Sequence, residues 1–361
     1  MREKIQIAVI KVGTSTLMGE KEEIDEDYIA QLAEDIAEVY RRGVKVILVT
    51  SGAIRAGLSH LKLSDSFSLP FVQAMAAIGQ GILMRIYESA FSRHNLTIGQ
   101  VLLTHDDLAT RDRFLNARNT LLSLLQLGVI PIINENDTVA TEEIKFGDND
   151  ILAAMVSATV SAELLLLLSD VEGLLDEEGK LISRVDSITP EILSLAGPAG
   201  RWGRGGMKSK LESARIATAS GVDVVIAKGR EKDVVQRIIL NKEPLGTFIP
   251  AKKKMQAKKR WLTFISRPKG KILVNEGAMK AIVEEGKSLL PVGITGIEGV
   301  FKRGDVVRII CEGKEFARGL TNYDSSELRL IMGHHSKEIE KILGYKGYEE
   351  VVHRDNLAII P

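Results

Sequence analysis

Residues 164–168 are five consecutive leucines, a run apolar at every position yet too short for an ordinary helix. Such a run belongs to a strand buried on both faces, and mostly apolar runs of similar length recur at 5–12, 44–49, 98–103, 129–133 and 222–226. Between these runs apolar residues recur at helical spacing. In 24–42 they are Ile29, Leu32, Ala33, Ile36, Val39 and Tyr40, and 71–91, 114–127, 151–161, 210–220 and 233–240 read likewise. Strands without a polar face, separated by helices, require a mainly parallel sheet covered on both sides. The expected fold of residues 1–250 is an α/β/α three-layer sandwich. The alternation breaks after two strand ends, near 134–147 and 169–206, where open α/β sheets hold their ligands.

Near residue 250 the character changes. Residues 251–260 read AKKKMQAKKR, six basic side chains in ten, so 251–265 is expected as a basic linker. Residues 266–361 follow with short β runs at 271–274, 290–293, 306–311 and 315–320, a helix at 277–285, and a Gly-rich turn after 293. A segment at 325–331, a short helix at 336–343 and a closing strand at 356–360 complete a small β-barrel-like domain. From 261 onward 15 Lys and Arg face 14 Asp and Glu, which speaks against RNA binding as a principal role. The whole chain balances 48 basic against 48 acidic residues, so no polybasic membrane anchor is expected either. Cys311 is the only cysteine, which excludes a disulfide scaffold and a Cys-based zinc cluster within one chain. No run of about 18 uninterrupted apolar residues occurs, and MREKIQIAVIKVG enters a strand directly without a signal-peptide pattern. The expected setting is the cytoplasm, without a membrane.

The familiar nucleotide and hydrolase motifs fail in turn. Gly286-Lys287-Ser288 lacks the first glycine of a P-loop, because residue 281 is Ala. The first strand leads into KVGTS rather than G-x-G-x-x-G, and neither H-E-x-x-H nor G-x-S-x-G is present. What remains is a set of polar clusters at strand ends. Lys11 ends the first strand and is followed by Gly13, which exposes backbone amides to an anion; the plain alternative is a lysine snorkelling to water. Ser51 and Gly52 follow the next strand, where Ser51 can cap a helix whose free amides can hold a carboxylate or phosphate. Asn134-Glu135-Asn136-Asp137 follows the 129–133 strand, and Gly147-Asp148-Asn149-Asp150 precedes a helix. These knots exceed what a cap needs. Ser169-Asp170 ends the leucine strand and can receive an adenine or ribose, although an ordinary hairpin would look similar. In Gly203–Lys210 a glycine loop is expected to run into a helix at Lys210. Lys11 and Lys210 together supply the ammonium clamp that phosphoryl transfer requires.

At these residues the chain closely resembles the amino acid kinase superfamily, and within it the glutamate 5-kinases. The motifs that carry the resemblance are IAVIKVGTSTL, VILVTSGAI, GVIPIINENDTVA, KFGDNDILAA, LLLLSDVEGL and GRGGMKSKLESA, in family order over about 5–220. The tail resembles a PUA domain. The resemblance implies an amino acid kinase catalytic domain at 1–250 and a PUA domain at 266–361. It implies phosphorylation of the γ-carboxylate of L-glutamate by ATP, the first step of proline biosynthesis. Lys11 and Lys210 would hold the transferring group, with Asp150 orienting both. Gly13, Gly52 and Asn134 would line the path between donor and acceptor, and Ser51, Asp137 and Asn149 would bind glutamate. Ser169, Asp170 and the loop Arg204, Gly205, Gly206, Met207, Lys208, Ser209 and Lys210 would hold ATP, with Mg²⁺ carried by its phosphates. The family usually shows threonine where this chain has Arg204 and Ser209; serine keeps the hydroxyl and arginine does not. The resemblance further implies a homodimer or homotetramer, feedback inhibition by proline and handover of product to glutamyl phosphate reductase. Acetylglutamate, aspartate and uridylate kinases are the rival readings within the superfamily, and an RNA-binding protein acting through its tail is the rival from another class.

Overall fold

The computed structural model describes every residue except 1, 3, 20–22, 64–67, 140–148, 197–205, 252–258, 260, 346 and 361. It divides into two compact units, 1–108 with 112–254, and 255–361 with 109–111.

The first unit is built on strands β1 (Ile7–Val12), β2 (Lys45–Val49), β3 (Ile98–Leu103), β4 (Ile130–Glu135), β5 (Leu164–Ser169), β6 (Asp223–Lys228) and β7 (Thr247–Ile249), in the spatial order β3-β4-β2-β1-β5-β6-β7. All neighbours are parallel except β6 and β7. The helices are α1 (Thr14–Leu17), α2 (Glu26–Arg41), α3 (Ala53–Leu61), α4 (Leu69–Ser92), α5 (His105–Ala109), α6 (Arg111–Gln126), α7 (Asn149–Val160), α8 (Pro190–Ser194), α9 (Met207–Ala219) and α10 (Val234–Ile239). Ala8, Ile10 and Val12 of β1 enter one core with Ile29 and Ile36 of α2, Leu83 of α4 and Val235 of α10. Alternation then sends Lys11 to the opposite face, where α7 packs on β1, β2, β4 and β5. Two faces, both covered, account for strands with no polar side: every residue of β4 and β5 is buried.

Two strands run further than apolarity predicts. Asn134, Glu135 and Ser169 lie inside β4 and β5, because ladder hydrogen bonds continue past the last apolar side chain. The three-residue edge strand β7 has no apolar run long enough to announce it. Helix α4 contains an 18-residue window long and apolar enough, by length and composition, to cross a membrane. Gln73, Gln80 and Arg85 interrupt the helix, so a count of consecutive apolar residues passes it over. Here it packs on α2, α3 and β3, with Leu83, Tyr87 and Phe91 fully buried.

Asp35 of α2 is 2% exposed and accepts hydrogen bonds from Gln31, Gln236 and the Val235 amide at the start of α10. Burial pushes its carboxyl up to about 6, with the Gln236, Gln31 and Val235 hydrogen bonds opposing. A carboxyl raised in the fold takes up a proton on folding between its unfolded and folded values. It therefore stabilises the protein at acid pH, and that contribution fades as pH rises from about 4 to 6. Asp35→Asn should remove a pH-dependent component of roughly 2 to 3 kcal/mol over that window. Urea melts of both proteins at pH 4, 6 and 8 measure it, and parallel pH profiles would contradict it.

The second unit carries β8 (Gly270–Val274), β9 (Ile294–Gly299), β10 (Val306–Cys311), β11 (Lys314–Leu320) and β12 (Leu357–Ile359), ordered β12-β11-β10-β8-β9, with only the β8–β10 pair parallel. Ile272, Val307, Ile309, Ala317, Tyr323 and Leu328 form its core. Helix α11 (Glu276–Val283) is capped by Asn275, and α12 (Ser325–Ile331) by the Asp324–Glu327 capping box. A β-rich domain is present, with two corrections. The residues expected as a Gly-rich turn form β9, whose pairing with β8 outweighs glycine's poor strand propensity. Pro291–Gly293, expected as β, is a single 3₁₀ turn.

Candidate active site

The strand order puts the ends of β4, β2, β1 and β5 side by side along one carboxyl edge, about 14 Å from first to last. Val49 lies opposite Ile133, Lys11 opposite Val49 and Leu167, and Val12 opposite Leu168. The polar loops after these strands are therefore neighbours in the order Asn134, Ser51, Lys11, Ser169.

At the centre, Asp150 at the start of α7 is fully buried between two lysines. Lys11 Nζ stands 2.6 Å from Oδ1 and Lys210 Nζ 3.1 Å from Oδ2. Burial pushes the Asp150 carboxyl up, but the two ammonium groups outweigh it and hold the acid below its ordinary range. Both lysines are 6% exposed. Lys11 is thus not the edge lysine reaching for water, and Lys210 is not in the glycine loop: it is the fourth residue of α9, with Gly206 as N-cap. These three described groups together carry one formal positive charge at a buried position. An anion is the natural guest. Gly13 brings the loop backbone close to the Lys11 ammonium, since a Cβ there would stand 3.6 Å from Lys11 Nζ.

Next along the edge is a knot of amides. Asn149 Nδ2 donates to Thr50 O, Ser51 Oγ and Asn134 Oδ1, while Asn134 Nδ2 donates to Gln80 Oε1 at 2.8 Å. Ser51 is not the cap of α3 that the sequence suggests. Gly52 is the N-cap, at φ 95° and ψ 1°, a left-handed conformation that favours glycine, and Ser51 turns into the knot instead. Asn149 Oδ1 and Gln80 Nε2 are buried without a hydrogen-bond partner among the described residues, so the knot retains one acceptor and one donor. Behind it, Tyr87 shares a 2.7 Å hydrogen bond with Thr50 Oγ1. Gln80, Tyr87 and Thr50 escaped sequence reasoning; a glutamine amid the apolar residues of α4 was the available signal.

The turn after β4 is pinned by the Asn136 amide to Leu103 O and carries Asp137, 9% exposed. Burial, with the Glu135 charge as the second cause, pushes the Asp137 carboxyl up to about 7. At the β5 end, Ser169 is buried and its hydroxyl donates to the exposed Asp170. Ser169 lies opposite Lys228, and a cavity of about 460 Å³ nearby is lined by Glu172, Lys228, Arg230, Lys232 and Leu245 among others. Arg230 itself is held by Asp25 and Met18 O over the Tyr28 ring. Among the nucleotide-loop candidates, Gly206 and Met207 are partly exposed, Lys208 is exposed and Ser209 is buried. Arg204 and Gly205 lie outside the described residues, as do Gly147 and Asp148.

The fold and this site define a class, and comparison with known proteins agrees: the chain belongs to the amino acid kinase family, whose model matches residues 6–228. A PUA domain model matches 270–343. Over nearly its whole length the chain is similar to proteins named glutamate 5-kinase. It is 47% identical to that of Trichlorobacter lovleyi and 48% identical to that of Syntrophotalea carbinolica, covering 99% of this chain and 98% of each relative. The Caldanaerobacter subterraneus subsp. tengcongensis protein is 46% identical over 98% of this chain and 97% of its own.

Proposed function

We propose that this chain transfers the γ-phosphoryl group of ATP to the γ-carboxylate of L-glutamate, giving L-glutamyl 5-phosphate and ADP as the first step of proline biosynthesis. The observation that carries the reading is the buried Lys11–Asp150–Lys210 trio, two ammonium groups on one carboxylate, beside the Ser51–Asn134–Asn149 knot. A γ-carboxylate is ionised at neutral pH, so it needs no general base to act as nucleophile. The difficulty is bringing two anions together. In this reading Lys11 and Lys210 neutralise the charge that spreads over the moving phosphoryl group, and Asp150 keeps both ammonium groups aimed.

Ser51, Asn149 and Asp137 hold glutamate, while Gly13, Gly52 and Asn134 line the path of transfer. Ser169, Asp170 and the start of α9 from Gly206 to Lys210 hold the nucleotide, with the positive end of the helix toward its phosphates; Arg204 and Gly205 belong to the same loop. Among the described residues no three His, Cys, Asp or Glu side chains gather as a metal cage. Mg²⁺ would be carried by the phosphates of ATP, where it would supply further charge neutralisation. The catalytic domain is assigned to 1–250, the linker to 251–265 and the PUA domain to 266–361. A cytoplasmic homodimer or homotetramer, proline feedback and handover to a reductase complete the proposal.

Release of ADP from ATP with glutamate, with hydroxylamine trapping of the acyl phosphate, tests the reading. Activity on N-acetylglutamate, aspartate or UMP in place of glutamate would replace it.

Asp137→Asn should raise the KM for glutamate about 5- to 150-fold and leave that for ATP nearly unchanged, because only the amino acid brings an ammonium group to be paired. The pH dependence has a definite sign. Only ionised Asp137 attracts an ammonium, so the wild-type glutamate KM should fall as pH rises toward about 7 and then level off. In the variant that slope should vanish. Steady-state kinetics from pH 6 to 9 decide it, and a folded variant with unaltered glutamate KM would remove the assignment.

A further inference from the structure

Glu135 is the last residue of β4 and is 4% exposed, yet both of its carboxylate oxygens are without a hydrogen-bond partner among the described residues. A buried carboxylate in that condition is unfavourable unless a cation arrives. The basic group that faces it is His105, at the start of α5, whose Nδ1 stands 3.6 Å from Oε1. That is too far for a hydrogen bond, and among the described residues Nδ1 is buried and unpartnered as well. Two residues beyond lies Asp137, also buried. The other acids nearby are already engaged: Asp107 of α5 with Thr104 and Arg113, and Asp150 of α7 with its two lysines. One corner of the site therefore carries two acidic groups without a close cation among the described residues, beside the Lys11–Asp150–Lys210 trio.

We propose that Glu135 forms a second anionic wall of the pocket for the substrate's α-ammonium group, sharing that charge with Asp137, while His105 positions the Glu135 carboxylate from behind. This inference rests on the glutamate reading above. An ammonium has three N–H donors directed apart, and a single carboxylate cannot meet all three in good geometry. A second carboxylate from an adjacent position supplies the missing acceptor. It also sharpens discrimination, because an acid lacking the ammonium would leave two like charges facing each other in a dry corner. Glu135 is accordingly a specificity determinant, and His105 a positioning residue.

The test compares wild type, Glu135→Gln, Glu135→Asp and His105→Ala for L-glutamate and ATP between pH 6 and 9, with hydroxamate formation as the readout and glutarate as a probe lacking the ammonium. E135Q should raise the glutamate KM roughly 10- to 100-fold with the ATP KM unchanged. Discrimination against glutarate should shrink. Because Asp137 loses a like-charged neighbour, the pH at which glutamate KM begins to climb on acidification should move down. E135D should recover much of the affinity. A folded E135Q with unchanged glutamate KM, or with equal losses for both substrates, overturns the inference. Should E135Q not fold, H105A alters a side chain 21% exposed and should raise glutamate KM severalfold without affecting ATP; an unchanged value there overturns the inference equally. A wild type that makes no glutamyl hydroxamate overturns the glutamate reading and this inference with it. A normal wild type with an indifferent E135Q overturns this inference alone.

Discussion

Lys210→Met should leave a folded protein whose kcat is lower by about 10² or more. Methionine keeps a similar apolar stem in the first turn of α9, where Lys210 is 6% exposed, so no large cavity opens. Asp150 retains Lys11 as a partner at 2.6 Å, so no buried charge is stranded. What disappears is one ammonium charge, so the phosphoryl group in transit loses one of its two ammonium partners. The loss should fall on kcat more than on the KM for ATP, since the interaction strengthens as charge spreads in the transition state. Lys11→Met should behave alike. Single-turnover ADP formation beside a melting curve measures both effects, and near-wild-type turnover in either folded variant would reject the two-lysine clamp.

Asp150→Asn should damage stability as well as activity, because it removes the carboxylate and leaves two ammonium groups in the same buried space. Breaking a buried pair by deleting one partner costs about 3 to 5 kcal/mol. For a domain of this size each kcal/mol moves Tm by roughly 2 to 4 °C, so a drop on the order of 6 to 20 °C is expected. Its pH dependence is opposite in sign to that of Asp35. An acid held below its ordinary range stabilises the fold above its unfolded value, near 4, and that contribution is lost as pH falls through the lower folded value. Wild type and variant should therefore differ most at neutral pH and converge in acid. Activity should fall with the aim of both lysines. Superimposable melting curves at pH 7 would show that Asp150 is not the counter-charge its position indicates.

Much of this protein is legible in its sequence. The five-leucine run is β5, extended by Ser169, and the helical spacing of Ile29, Leu32, Ile36 and Val39 is the buried face of α2. Both follow from local periodicity, which depends only on how successive side chains leave the backbone. Ser51 shows where local reading stops. A serine before a helix is a good cap, but the chain bends at Gly52 and Asn149, far along the sequence, takes the hydroxyl instead. Lys210 departs from its expected place for a related reason, since a glycine-rich approach says nothing about which residue begins the first turn. Glu135 is legible only as one of the polar knot after 129–133, and His105 carries no local signal, because an unpartnered carboxylate is defined by what surrounds it.

Sequence by itself determined the layered α/β class, most of the strands and helices, and the identity of the groups at the strand ends. Only the tertiary structure decided which of them meet. Parallel strands pair with distant partners, so the order β4-β2-β1-β5, which brings Asn134, Ser51, Lys11 and Ser169 to one edge, depends on non-local hydrogen bonds. Helices α7 and α9 pack together and thereby carry Asp150 and Lys210 to Lys11. Charge surplus, burial and a shifted pKa belong to that assembly and to no residue alone, because each is a difference between the interactions a group makes in the fold and those it makes in water.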